Sequence, residues 1–76
     1  MLVMQKNIAY DSQDIGRTIR ARRKKLGYTQ TEVARFNQCS IRFISELERG
    51  KDGAGLGQVI RIMNSLGLDL AAFERE

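Results

Sequence analysis

Apolar residues recur every three or four positions in four stretches of this chain, the spacing that places them on one face of an α-helix. The first stretch predicts a helix from about Gln13 to Leu26, preceded by Asp and Ser side chains that can cap its first backbone amides. Gly27 can end it in a left-handed conformation. The predicted apolar face carries Ile15, Ile19, Arg22 or Arg23, and Leu26.

A second helix is predicted to start at Thr29. Thr29 and Glu32 have the spacing of a capping box, in which each side chain accepts a hydrogen bond from the other's backbone amide. Val33 and Ala34 are the expected buried residues of this helix. Polar residues at 37–40 break the pattern, so the helix should end there.

Two further helices follow. Ser40 can cap the third, in which Ile44 and Leu47 face inward, and Gly50 ends it. We interpret the glycine-rich stretch 51–57 as a turn or connection, because its segment GAGLG lacks the strand, Lys and Ser/Thr context of a phosphate-binding loop. The fourth helix has an apolar stripe formed by Leu56, Val59, Ile60, Met63 and Leu66. The pattern therefore predicts an all-α fold of four to five helices, with a short terminal β-strand as an open alternative.

Composition limits what such a fold can do. A chain of 76 residues is one domain, and a domain of this size buries only about 60% of its unfolded surface, so dimerisation is the expected reinforcement. There is no His and a single Cys39, so we expect no disulfide, no metal, no cofactor and no enzymatic activity. No apolar run is long enough for a membrane span and no signal peptide is evident, which predicts a cytoplasmic protein without a membrane partner.

Positive charge is concentrated in the middle of the chain. The formal net charge is +4, and the segment 15–51 contains three acidic residues, Glu32, Glu46 and Glu48. The same segment contains ten basic residues: Arg17, Arg20, Arg22, Arg23, Lys24, Lys25, Arg35, Arg42, Arg49 and Lys51. This distribution favours a polyanionic partner. The basic run at 20–25 can be either a solvated helix face or the edge of a phosphate-binding surface.

The segments LGYTQTEVA and SIRFISELERGK resemble the helix-turn-helix of the Xre/Cro-type, phage-repressor-like family, and the match extends from Ile15 to about Leu68. The segment GLGQVIRIMNSLGLDL is similar to the HipB-like antitoxin branch. The resemblance implies a lambda-repressor-like domain over residues 11–68, with the helix-turn-helix at the second and third helices. Residues 1–10 would be an N-terminal arm or short strand. Residues 69–76 would be a dimerising strand or a short helix, and the HipB-like similarity favours the strand.

Family positions imply how this chain would contact double-stranded DNA. The outward face of the third helix would enter the major groove with five base-contacting residues, Ser40, Ile41, Arg42, Ser45 and Glu46. Arg42 is the principal candidate because a guanidinium can bind guanine O6 and N7 together, and Ile41 suits a thymine methyl. Phosphate contacts are implied for Thr29, Gln30, Asn37, Gln38, Arg49 and Lys51. Arg23 and Glu48 match a pair that forms an internal salt bridge in this family.

The turn between the second and third helices departs from the family pattern. The family usually has a small apolar residue where this chain has Asn37, and a Gly where it has Gln38. A Gln held at positive φ would cost about 1 kcal/mol or more. Cys39 replaces the usual Val or Ile, and we expect it to pack as a small hydrophobic residue.

Two functions follow from this resemblance. The first is a sequence-specific DNA-binding repressor, acting as a homodimer on an inverted repeat and serving as the antitoxin of a HipBA-like toxin-antitoxin system. The second is an antitoxin whose main work is to bind and neutralise a HipA-like serine/threonine kinase, with DNA binding secondary. A scaffold without DNA binding is the third and weakest interpretation.

Overall fold

The structure, a computed structural model, describes residues 8–75. Within them the chain forms four α-helices and no strand: α1 (Ser12–Lys25), α2 (Gln30–Phe36), α3 (Ile41–Glu48) and α4 (Leu56–Ser65). The predicted all-α fold class is confirmed, with the smaller of the two helix numbers. The pair α2 and α3, joined by the short turn 37–40, occupies the place predicted for the helix-turn-helix.

Local capping determines where three of these helices begin. The Asp11 carboxylate accepts a hydrogen bond from the Asp14 amide at the start of α1. Thr29 and Glu32 form the complete capping box predicted for α2, and the Ser40 hydroxyl accepts from the Phe43 amide at the start of α3. Each bond satisfies a backbone N–H that has no partner within its own helix. Helix α4 begins after Gly55 without a side-chain cap.

A single apolar core lies between the four helices, and it is formed by Ile19, Val33, Ala34, Ile44, Leu47, Val59, Ile62, Met63 and Leu66. The predicted stripe of α4 is partly wrong. Ile62, which the predicted stripe omits, is 0% exposed, and Leu56, which it includes, is 65% exposed. One face of α4 has the i, i+3, i+4, i+7 spacing and packs on the core through Val59, Ile62, Met63 and Leu66. Leu56 is the first residue of the helix and precedes the part that contacts the core. Leu26, placed on the apolar face of α1, is also exposed.

Helix α1 approaches the C-terminal end of α3 closely at Gly16. A Cβ built on Gly16 would lie 2.7 Å from the Glu48 backbone oxygen and closer still to that of Leu47. Real Cβ atoms do not come this near to a carbonyl oxygen, so only Gly fits between these two backbones. The close packing of α3 against α1 therefore requires a residue without a side chain at position 16.

The turn between α2 and α3 keeps the positive φ that the family pattern implies, although Gln38 stands where the family usually has Gly. Gln38 has φ of +54°, the only positive φ at a non-Gly residue among the described residues. Its neighbour Cys39 is half-buried against the core, in agreement with the expected packing role. Burial raises the pKa of the Cys39 thiol, although the charge of Arg61 opposes this, so the neutral thiol is favoured.

Replacing Gln38 by Gly should raise the free energy of unfolding by about 1 kcal/mol, because Gly adopts positive φ without the clash between Cβ and the following carbonyl oxygen. Urea unfolding followed by circular dichroism measures the change. Gln38→Ala is the matched control: it keeps Cβ and should remain within about 0.5 kcal/mol of the wild type. Equal stabilisation by both variants would trace the strain to the Gln side chain instead of the backbone.

The two terminal segments add no regular structure to the single chain. Residues 8–10 and 68–75 form neither helix nor strand. Most of the predicted N-terminal arm, residues 1–10, lies outside the described residues. The short C-terminal helix considered from the sequence is not formed over 69–75. Pairing of this segment as a strand with a second copy stays a prediction.

Candidate nucleic-acid interface

The outward face of α3 carries the residues that the sequence predicts to read bases. The opposite face of α3 is buried and carries Ile44, Leu47 and Glu48. The helical periodicity therefore directs the predicted base-contacting residues away from the core. Arg42 is strongly exposed, with 85% of its side chain accessible to solvent, against 22% for Glu46. The predicted set comprises exposed Ser40, Ile41 and Arg42 and half-buried Ser45 and Glu46.

Hydrogen bonds connect this face of α3 with the chain just after it. Glu46 accepts from Arg42 Nε through Oε2 and from Lys51 Nζ through Oε1, each at 3.2 Å. Arg49 donates from Nη1 to the Ser45 hydroxyl at 2.7 Å. The bonds from Lys51 and Arg42 and the charges of both lower the pKa of Glu46, so its carboxylate is ionised at neutral pH. Arg42, Arg49 and Lys51 thus place three cations around Ser45 and Glu46.

A buried ion pair supports α3 from behind. Arg23 on α1 donates from Nε to Glu48 Oε2 at 2.6 Å and from Nη2 to Glu48 Oε1 at 2.9 Å, with side-chain exposures of 10% and 2%. Arg23 also donates from Nη1 to the Tyr28 carbonyl at 2.9 Å. The internal pair implied by the family resemblance is therefore present, and it joins α1, the α1–α2 corner and the end of α3.

The environment of this pair favours the charged forms. Burial by itself would raise the pKa of Glu48, but hydrogen bonds from Arg23 and Gln30 and the charges of Arg23 and Arg20 outweigh it, and the pKa lies below its ordinary value. The hydrogen bond to Glu48 raises the pKa of Arg23 against the opposing effect of burial. Both groups are therefore ionised, and their bidentate geometry offsets the cost of removing them from water.

Two of the residues predicted to contact phosphate lie at the start of α2. Gln30 is half-buried and donates from Nε2 to Glu48 Oε1 at 3.1 Å, so its amide is held against the same ion pair. Thr29 is exposed, and its hydroxyl oxygen accepts from the Glu32 amide at 3.1 Å as the helix cap. The Thr29 hydroxyl also donates to Glu32 Oε1 at 3.2 Å, which leaves the Gln30 amide oxygen to face an external ligand.

Asn37 does not belong to this surface, which corrects the phosphate contact predicted for it. The residue is 6% exposed, and its Nδ2 donates to the Val33 carbonyl at 2.9 Å and to the Ser65 hydroxyl at 3.0 Å. The side chain is buried between α2 and α4, and both of its Nδ2 hydrogen bonds go to protein oxygens, so this amide nitrogen is not available to a phosphate. Gln38, the next residue, is exposed on the turn.

Other kinds of site find little support in the described residues. Residues 8–75 hold no group of three or more His, Cys, Asp or Glu side chains placed to bind a metal ion. None of the helices in the same range has the length and apolar character needed to span a bilayer. The chemistry of this part of the chain is that of a polar and basic surface on a small helical core.

Residues 14–75 match a family described as a helix-turn-helix domain. The chain belongs to this helix-turn-helix family. A curated relative, the uncharacterized HTH-type transcriptional regulator y4mF of Sinorhizobium fredii, is 37% identical over 57 residues, which cover 75% of each chain. The protein is therefore a helix-turn-helix DNA-binding transcriptional regulator, from a family of regulators that is not a class of enzymes.

Solved structures similar to this helix-turn-helix regulator agree with the HipB-like resemblance. The structure "HipB-O4 20mer complex" has a TM-score of 0.81 and 25% identity, with 96% of this chain and 100% of that chain covered. The "Structure of HipA-HipB-O2-O3 complex" gives the same TM-score, identity and coverage. The predicted membership of the Xre/Cro-type family and the HipB-like resemblance are confirmed.

Two residues that position the helices of the regulator were not predicted from its sequence. Arg22 donates from Nε to the Leu66 carbonyl at 2.7 Å, where it caps the C-terminal end of α4. Ser65 donates to the Ile62 carbonyl at 2.6 Å and accepts from Asn37, so it links α4 to the turn. No local pattern indicates these contacts, because the partners lie 44 and 28 residues apart. Within the basic run, Arg22 and Arg23 therefore have structural roles, whereas Arg20, Lys24 and Lys25 are exposed.

Proposed function

We propose that this regulator is a sequence-specific repressor that binds double-stranded DNA in the cytoplasm as a homodimer on an inverted repeat. The observation that carries the proposal is the outward face of α3, where Arg42 is extended and Arg49 and Lys51 lie beside it. The similarity to the "HipB-O4 20mer complex" supports the same conclusion. Repression follows where the site overlaps a promoter.

Each α3 inserts into one major groove, with its N-terminal residues on base edges. Arg42 binds a guanine through O6 and N7, and exposed Ile41 contacts a thymine methyl. Ser40, Ser45 and Glu46 complete the base-facing set. The phosphate contacts come from the start of α2, the turn and the chain after α3, at Thr29, Gln30, Gln38, Arg49 and Lys51.

A homodimer matches an inverted repeat when its two recognition helices lie about one DNA turn apart, ~34 Å. The segment 69–76 is proposed to hold the two copies together as a paired strand. Two features support this: residues 68–75 form neither helix nor strand in the single chain, and Leu70 is exposed. A protein of this size gains stability from such pairing because its own core is thin.

Selection of binding sites from random DNA, followed by titration at several salt concentrations, tests the proposal. Arg49 and Lys51 provide two phosphate-binding cations per protomer and four per dimer. We therefore expect log K to fall with log salt at a slope of about −4, since each neutralised phosphate contributes about −0.9. A single enriched inverted repeat is the second expected result. A flat slope, or no enriched sequence, would overturn the proposal.

Arg42→Ala should lower discrimination for guanine at one base pair of each half-site by roughly 5- to 150-fold, the value of a good bidentate contact. Arg49→Ala is the matched variant for phosphate binding. It should weaken binding to all sequences alike and make the salt slope less negative by about two, one per protomer. The opposite pattern would show that the roles of these two residues are reversed.

A second candidate function is neutralisation of a toxin, with DNA binding used for autoregulation. The similarity to the "Structure of HipA-HipB-O2-O3 complex" favours it. The corresponding partner for this chain would be a HipA-like serine/threonine kinase. Co-expression with the product of the adjacent gene, followed by affinity purification, tests this function: a stable complex and relief of growth arrest are expected, and failure to co-purify counts against it.

A further inference from the structure

Glu46 lies among the predicted base-contacting residues, but its contacts point to a different role. We propose that Glu46 is a positioning residue: it holds the Arg42 guanidinium in the orientation that reads guanine and restrains Lys51 beside it. This inference rests on the proposed sequence-specific DNA binding. It assigns to Glu46 a part in the specificity of that binding, through its contact with Arg42. It changes the role of Glu46 from contact with a base to control of the residue that makes the contact.

The first argument is the state of the Glu46 carboxylate. Its two oxygens accept from two different cations, Oε2 from Arg42 Nε and Oε1 from Lys51 Nζ. Its side chain is 22% exposed, against 85% for Arg42. Donation from a cytosine amino group to this carboxylate would require one of these charge-assisted bonds to open while the side chain moved outward. The carboxylate therefore lies behind Arg42, not at the front of the surface.

The second argument is the atom of Arg42 that Glu46 engages. The bond uses Nε, the nitrogen nearest the aliphatic stem. The terminal Nη1 and Nη2 groups make no hydrogen bond among residues 8–75, and together they form the fork that matches guanine O6 and N7. A guanidinium held at Nε can rotate less freely, so less conformational entropy is lost when the fork meets the base.

The third argument is the charge of Glu46 itself. Even from behind Arg42, an ionised carboxylate this near to the DNA repels phosphate oxygens and lowers affinity for any sequence. On matching DNA, the contact between Arg42 and guanine offsets this loss of affinity. On DNA without that guanine, nothing offsets it. Glu46 therefore contributes to specificity in two ways, through the orientation of Arg42 and through weaker binding to non-matching DNA.

The test is a double-mutant cycle with Glu46→Gln and Arg42→Ala, using the full chain and the DNA site enriched by the wild type. Each protein is titrated on that site, on single base-pair variants of it and on unrelated DNA. Glu46→Gln should lower guanine discrimination at the Arg42 base pair by about fivefold or more, while binding to unrelated DNA strengthens. In the Arg42→Ala background the same change should leave discrimination at that base pair within about twofold, because nothing remains to be positioned.

Other outcomes would overturn the assignment. If Glu46→Gln lowers discrimination at a different base pair in both backgrounds, Glu46 contacts that base directly. If discrimination is unchanged in Glu46→Gln but lost in Arg42→Ala, only the positioning role fails and the DNA-binding function stands. If the wild type enriches no site at all, the proposed function fails first and the positioning role fails with it. Urea unfolding of each variant separates loss of binding from loss of the fold.

Discussion

Replacement of Arg23 by Met should lower the free energy of unfolding by about 3–5 kcal/mol, the range for removal of one partner from a buried ion pair. The variant leaves the Glu48 carboxylate, 2% exposed in the wild type, without its bidentate partner. The Tyr28 carbonyl loses a hydrogen-bond donor as well. The free energy of unfolding of a small domain is only about 5 kcal/mol or somewhat more, so we expect the variant to be largely unfolded at 37 °C. Urea or thermal unfolding measures the loss.

Two controls separate an unpaired charge from ordinary loss of a side chain. Replacing both partners by apolar residues, Arg23→Met with Glu48→Leu, removes the buried charges together and should recover most of the stability. Arg17→Met breaks an exposed pair with Asp14 and should change the free energy of unfolding very little, because water screens the two charges. If the double variant were as unstable as Arg23→Met alone, the specific geometry of the pair, and not an uncompensated charge, would be the source of the effect.

Gly16→Ala should lower the free energy of unfolding by about 1–3 kcal/mol, although Ala is the better helix former. The added Cβ would lie too close to the Leu47 and Glu48 carbonyl oxygens, which are backbone atoms and cannot rotate away. Helices α1 and α3 would have to separate, and the contacts of Glu48 with Arg23 would lengthen. The unfolding midpoint in urea is the direct measurement.

Gly57→Ala is the matched control, because it makes the same chemical change in a different helix. Gly57 lies in the first turn of α4, and a Cβ added there meets nothing within 4 Å. Only the helix propensity of the residue changes, so we expect stabilisation by about 0.5 to 1 kcal/mol. Opposite signs for the two variants would show that close approach of α1 to α3 requires Gly16. Destabilisation by both would indicate a general effect of methyl groups on these helices.

The substitutions of Arg23 and of Gly16 both affect the C-terminal end of α3, the helix that carries Arg42 and Glu46. Gln30 contacts the same carboxylate as Arg23, so one buried group, Glu48, links α1, α2 and α3. Variants at Arg23 or Gly16 should therefore weaken DNA binding even at temperatures where they remain folded. Their effect should be equal for all DNA sequences, unlike that of Arg42→Ala.

The sequence by itself determined the helices of this protein and most of the candidate surface. Capping by Asp11, Thr29 and Ser40 depends on residues within about four positions of one another, so it can be recognised along the chain. The positive φ at Gln38 was expected from the Gly that the family usually has at that position. The direction of the α3 face follows from the same local periodicity. The pairing of Arg23 with Glu48 came from family resemblance, since no local pattern connects residues 25 positions apart.

Only the tertiary structure decided which polar side chains are buried and which partners they have. Asn37 is polar and next to the turn, which favours a phosphate contact by sequence, yet α4 covers it and Ser65 accepts its hydrogen bond. In the same way, the core includes Ile62 and leaves Leu56 exposed, and Arg22 on α1 donates to the Leu66 carbonyl, 44 residues away. Helix formation depends on residues within one turn, whereas burial and ion pairing depend on which distant segment packs against that turn.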